Sequence, residues 1–106
     1  MEEIKLTGIP ETMEQAVETL MEFYTGSLSE ILTMSLQEFE ASAHFGAGLF
    51  IRNSWYLWWR EGHKCDTWPK EKLELVKCFH DLDVVHPDHM SSIILVSFYL
   101  KVQNLQ

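Results

Sequence analysis

The chain of 106 residues has only two cysteines, Cys65 and Cys78. Two are too few for a disulfide framework, and both read as reduced thiols. No apolar run approaches the roughly 20 residues needed to span a bilayer. The first residues show no basic stretch leading into an apolar core, so no secretory signal is visible and the expected setting is the cytoplasm. Bases are scarce as well, with eight Lys and Arg against 16 Asp and Glu. Phosphate neutralisation needs clustered Lys and Arg, so direct nucleic-acid binding is excluded as the expected function. A glycine-rich phosphate loop, an HExxH helix, a nucleophile elbow and a carboxylate pair of evident geometry are all missing. No enzyme class and no cofactor are therefore indicated. Repeats and low-complexity segments are absent.

What remains describes one folded domain. Hydrophobic residues make up 46% and charged residues 23% of the chain, enough apolar material for a core. The formal charge of −8 is unevenly placed. Residues 1–41 hold nine acids (Glu2, Glu3, Glu11, Glu14, Glu18, Glu22, Glu30, Glu38, Glu40) and one base, Lys5, whereas acids and bases balance over residues 42–106. An acidic front attracts basic proteins. It also serves solubility alone, and the sequence does not separate the two roles.

The spacing predicts an all-α domain of four main helices plus one or two short ones. Residues 1–8 read as an extended lead-in. Gly8-Ile9-Pro10-Glu11 reads as a helix start with Pro10 in the first turn. Met13, Ala16, Val17, Leu20, Met21 and Tyr24 then recur with helical period. Glu14, Glu18 and Glu22 form a ridge on the opposite face. Gly26 suits a left-handed helix end. Ser27-x-x-Glu30 and Ser35-x-x-Glu38 both match the capping box. Leu36, Phe39 and Ala43 supply an inner face to the second segment. Residues 62–69 read as a loop after a helix end at Gly62, and a helix is expected from Lys70 to Leu82. Pro87-Asp88 opens the last helix, although Ile93 to Tyr99 is also strand-like in composition.

The run from His44 to Trp59 is the most apolar and aromatic part of the chain. Arg52 and Asn53 are its strongly polar members after His44. Buried polar groups need partners, so another segment or a ligand is expected to meet them. Gly46 and Gly48 cost about 1 kcal/mol each against Ala in an exposed helix. Close packing of another backbone is one reason for them, and ligand approach to a helix start is another.

His44-Phe45-Gly46-x-Gly48-x-x-Ile51-Arg52-Asn53-x-Trp55-x-Leu57-Trp58, followed by His86-Pro87-Asp88-x-Met90-Ser91-Ser92-Ile93-Ile94, resembles a small bacterial domain family with no assigned function. The resemblance covers roughly residues 9–103. The family pattern has Asp where this chain has His89 and Asn where it has Ser54. The segment with His63 and Cys65 is particular to this chain. The resemblance implies a helical fold and groups the two motifs, but it implies no reaction, substrate or partner.

Together the motifs offer His44, Arg52 and Asn53 on one side, and His86, Asp88, His89, Ser91 and Ser92 at a helix start on the other. Asp88 is the obvious carboxylate for Arg52. One reading is a satisfied buried network fixing a helix crossing. The other is a pocket for a small anionic ligand. His63, Cys65, Cys78, His80, His86 and His89 are zinc-type ligands with poor spacing, since Cys78 and His80 diverge by about 200° on a helix. No metal is therefore expected. Trp58 and Trp59 suit either a core or a protein interface. The expected function is non-enzymatic binding of a macromolecular partner, such as an inhibitor or immunity-type protein, through Glu14, Glu18, Glu22, Trp58 and Trp59. The alternative is an anionic-ligand binder or sensor built on the Arg52 cluster.

Overall fold

The structure, a computed structural model, describes residues 9–59 and 73–104. The expected lead-in over 1–8, the loop over 62–69 and the residues His63 and Cys65 lie outside them. Helix α1 spans Met13–Phe23, α2 Leu28–Leu32, α3 Leu36–His44, α4 Ala47–Ser54, α5 Glu74–Asp81 and α6 Pro87–Gln103. No strand occurs among the described residues, so the strand-like stretch Ile93 to Tyr99 is helical. The Pro87 start and local hydrogen bonding prevail over composition there. The domain is all-α, as expected.

α6 is the axis of the domain, and α1, α2, α3 and α4 all pack on it. It buries Met90, Ile94, Leu95, Phe98, Tyr99 and Val102. Each fully buried large apolar side chain contributes about 1.5–3 kcal/mol. Around its second half, Tyr24, Phe39, Phe98 and Tyr99 form an aromatic cluster with ring centroids 5.1–6.1 Å apart. This cluster ties α1 and α3 to α6. Burial pushes the Tyr24 phenol above its ordinary pKa. α5 adds Leu75, Val76 and Phe79 to the same core.

Several helix ends differ from expectation. α1 begins after Thr12, not around Pro10: Thr12 Oγ1 accepts from the Gln15 N–H at 3.1 Å, and Gln15 Oε1 accepts from the Glu11 N–H at 2.7 Å. Pro10 is buried ahead of the helix. Gly26 is not left-handed. It lies in a 3-10 turn, Thr25–Ser27, where Thr25 Oγ1 donates to the carbonyls of Met21 and Glu22. Ser27 makes no capping bond, because its φ of −124° and ψ of 9° are not the extended backbone a cap requires. Ser35 does form the capping box. Its Oγ accepts from the Glu38 N–H at 3.1 Å, and Glu38 Oε1 accepts from the Ser35 N–H at 2.9 Å.

The aromatic run is not one continuous element. α3 closes on its first residue, His44, and α4 stops at Ser54, well before Gly62. The stop is a Schellman motif: Tyr56 sits at φ 58°, and the Leu57 N–H reaches back to the Arg52 carbonyl at 3.1 Å. α5 ends the same way, with Asp83 at φ 68° and the Val84 N–H on the Phe79 carbonyl at 2.8 Å. Asp83 is exposed, so its left-handed backbone can be tested without disturbing the core. Asp83→Gly should raise stability by about 1 kcal/mol and Asp83→Val should lower it, measured by urea melts. Equal melting of the two variants would contradict this account of the α5 end.

Candidate functional site

The two sequence motifs meet where α3 ends, α4 passes and α6 begins. Arg52, on the inner face of α4, is only 4% exposed. Its Nη1 donates to Ser91 Oγ on α6 at 3.0 Å. Its Nη2 donates to the His44 carbonyl at the end of α3 at 3.1 Å. Its Nε stands 3.4 Å from Asp88 Oδ1 in the first turn of α6. Ser91 Oγ in turn donates a hydrogen bond to the Asp88 carbonyl at 3.0 Å. One guanidinium thus spans a helix C-terminus, which favours cations, and a helix N-terminus whose carboxylate it pairs.

The other expected members take different places. His44 contributes its main-chain carbonyl, while its ring meets Phe45 edge-on at 4.6 Å. Asn53 is exposed and does not need the partner expected for it, because it follows Arg52 by 100° of helix rotation. His86 caps α6, its Nδ1 accepting from the Asp88 N–H at 3.0 Å. Ser92 donates to Glu40 Oε2 on α3 at 2.6 Å, a second clasp between α3 and α6. Glu40 entered the sequence reading only as one more acid. Glu40 lies on α3 one residue, about 100° of helix rotation, beyond the buried Phe39, and its residue type does not distinguish it from the other acids.

Gly48 has its reason here. A Cβ on it would lie 3.0 Å from Arg52 Nη1 and 3.1 Å from the Ala43 carbonyl. Its smallness admits both the guanidinium and the backbone at the end of α3. At Gly46 a Cβ would meet only the Ser42 carbonyl, at 3.9 Å, so no such crowding applies.

Among the described residues, no three His, Cys, Asp or Glu side chains are grouped to hold a metal ion. Cys78 is exposed, while His80 packs on Trp59 with ring centroids 5.4 Å apart. Lys77 Nζ lies 5.6 Å from the Trp59 ring, so Trp59 is held on the domain's own surface. Trp58 is exposed. Trp55 is fully buried, and its indole N–H has no acceptor among the described residues. Glu14, Glu18 and Glu22 are all exposed along α1, opposite its buried Ala16, Val17 and Leu20. No described helix is long and apolar enough to cross a membrane.

The side chain of Asp88 is 53% exposed, which changes what a broken pair costs. A stranded Asp88 carboxylate would be hydrated, so its ion pair contributes under about 1 kcal/mol. Arg52→Ala should still cost about 2–4 kcal/mol, from the cavity and from the orphaned His44 carbonyl and Ser91 hydroxyl. Asp88→Asn should cost less than about 1 kcal/mol, and the double variant slightly less than the two losses added. Gly48→Ala should cost about 1–2 kcal/mol, reversing the helix-propensity gain of an alanine. Chemical denaturation of the four variants checks this set. An Arg52→Ala protein melting at or above the parent would sink the structural role of Arg52.

No curated protein and no solved structure matches the chain. A family model does, over residues 9–102: a domain of unknown function, DUF6794. The match covers both motifs and every described helix except the last residue of α6. The clasp that joins α3, α4 and α6 therefore lies wholly inside the matched region, and the chain belongs to this family of domains of unknown function.

Proposed function

We propose that this domain is a non-enzymatic binding protein for another macromolecule, an inhibitor or immunity-type protein whose acidic helix α1 faces a basic protein partner. The observation behind the reading is the ridge Glu14, Glu18, Glu22. All three carboxylates are exposed, α1 contains no base, and none of the three pairs with a base among the described residues. Like charges spaced four apart weaken a helix by a few tenths of a kcal/mol per pair. A face that retains such repulsion suits a partner that neutralises it. Trp58, exposed at the far end of the α4 turn, is a further contact candidate. A cytoplasmic setting fits the sparse cysteine content. The alternative, an anion site on Arg52, Asn53 and Asp88, has less behind it, since each nitrogen of the Arg52 guanidinium already faces an internal oxygen and Asn53 points away.

The test begins with cross-linked capture of partners and continues with association kinetics. Replacing Glu14, Glu18 and Glu22 with Gln should leave the fold intact and raise its stability slightly. Association with a basic partner should slow by about tenfold at low salt, with the difference shrinking as salt rises. An on-rate indifferent to both substitution and salt would remove the proposal.

A further inference from the structure

α4 is inside out. Its one charged residue, Arg52, is buried, whereas Leu49 and Phe50 are 44% and 37% exposed. Asn53 is exposed with them, and the three share an arc of about 100° on the helix. Surface helices ordinarily turn polar residues to water. The apolar face continues onto α1 through Phe23, which is 46% exposed. The Phe23 and Phe50 rings stack with centroids 6.1 Å apart and planes 11° apart. Contiguous exposed aromatic surface of this kind marks an interaction site.

Among the described residues of α1, the charges beside this face are all acidic. Glu22 precedes Phe23 on α1, and the ridge Glu14, Glu18, Glu22 runs beside the row that ends in Phe23. Two copies of the chain docking here would bring these acidic ridges together, which disfavours a homodimer. A partner with an apolar stripe and a basic flank complements both parts. We propose that the Phe23–Phe50 pair, with Leu49 and Asn53, is the docking centre for a basic amphipathic helix of another protein. The apolar stripe of that helix covers the two rings and Leu49. Its Lys and Arg residues meet Glu18 and Glu22. The Asn53 carboxamide, both donor and acceptor, pairs with a polar group of the helix and fixes its register. The inference rests on the protein-binding reading and names the contact surface and partner chemistry within it.

The probe is a synthetic Leu/Lys peptide of about five helical turns with one apolar stripe. Controls are a scrambled peptide of the same composition and a Leu/Glu counterpart. Backbone amide shifts of the full chain are followed by NMR during titration. The striped basic peptide should shift Phe23, Leu49, Phe50 and Asn53 and bind more tightly than either control. Phe50→Ser and Leu49→Ser should each weaken it by about tenfold. Leu100→Ser, at an equally exposed leucine on α6, should leave binding unchanged. Amide spectra of the free variants check that each is folded. No shift at those four residues overturns the proposal, as does equal binding of striped and scrambled basic peptides. A concentration-dependent dimer abolished by Phe50→Ser overturns it in favour of a second copy. If Glu18→Gln and Glu22→Gln weaken binding while Phe50→Ser does not, the acidic-helix reading stands and the aromatic centre falls. If neither set matters, both fall.

Discussion

The domain depends on how one guanidinium is used. Arg52 is buried, yet it is not sealed in as half of a deep ion pair. Its two shortest contacts go to neutral oxygens, the His44 carbonyl and the Ser91 hydroxyl, and its carboxylate partner sits at the water boundary. Burying an ion fully would cost several kcal/mol before any compensation. Placing the charge between a helix C-terminus, a hydroxyl and a half-hydrated carboxylate keeps that cost low. The same arrangement fixes the distance between α3, α4 and α6, because a planar fork reaches all three partners in one orientation only.

That demand arises from the shortness of the helices. α2, α3 and α4 have five, nine and eight residues. Each helix leaves four carbonyls without an internal partner, so a large share of these backbones consists of ends. The long helix α6 supplies what they lack. Tyr99 donates to the Met34 carbonyl at 2.6 Å and Gln103 to the Ile31 carbonyl at 3.4 Å, both around the end of α2. Ser91 orients Arg52 toward the end of α3, and Ser92 holds Glu40. Polar side chains thus recur along a helix that otherwise forms the core, which explains why α6 alternates serines, a tyrosine and a glutamine with its leucines and isoleucines. Burial of its apolar side chains and satisfaction of its neighbours' carbonyls are one structural task.

The legible parts of the fold were those with local, sequence-fixed chemistry. Ser35 and Glu38 three apart form a cap through their own side chains, and Pro87 marks a helix start through its fixed φ. The Arg52–Asp88 pairing was legible because a lone charge in an apolar run must be met. What escaped was backbone chemistry. Tyr56 and Asp83 adopt left-handed conformations that glycine usually marks, so the helix ends they make carry no residue signature. His44 is read as an imidazole, but it is the carbonyl, common to every residue, that Arg52 uses. Ser27 matched a capping pattern that its backbone does not permit. Asn53 does not share the burial of Arg52, because neighbouring residues on a helix face directions about 100° apart.

The exposed face of α4 follows from the buried one. A short helix has a single rotation about its axis to choose. Turning Arg52 and Gly48 toward α3 and α6 closes the clasp, with Ala47 and Ile51 completing the inner face. Leu49, Phe50 and Asn53 are then left outside whatever their polarity. Rotating α4 enough to bury Phe50 would withdraw the guanidinium from the His44 carbonyl and bring other side chains against the space that only Gly48 leaves open. Fold and surface are coupled at this helix: the polar residue inside determines that apolar residues stand outside. Hydrophobic exposure of this kind costs solubility and yields nothing to the isolated domain beyond the Phe23–Phe50 stack. A polar pair at positions 49 and 50 would serve the clasp equally well, so the clasp accounts for where these side chains point and leaves their apolar identity to be accounted for by what they touch.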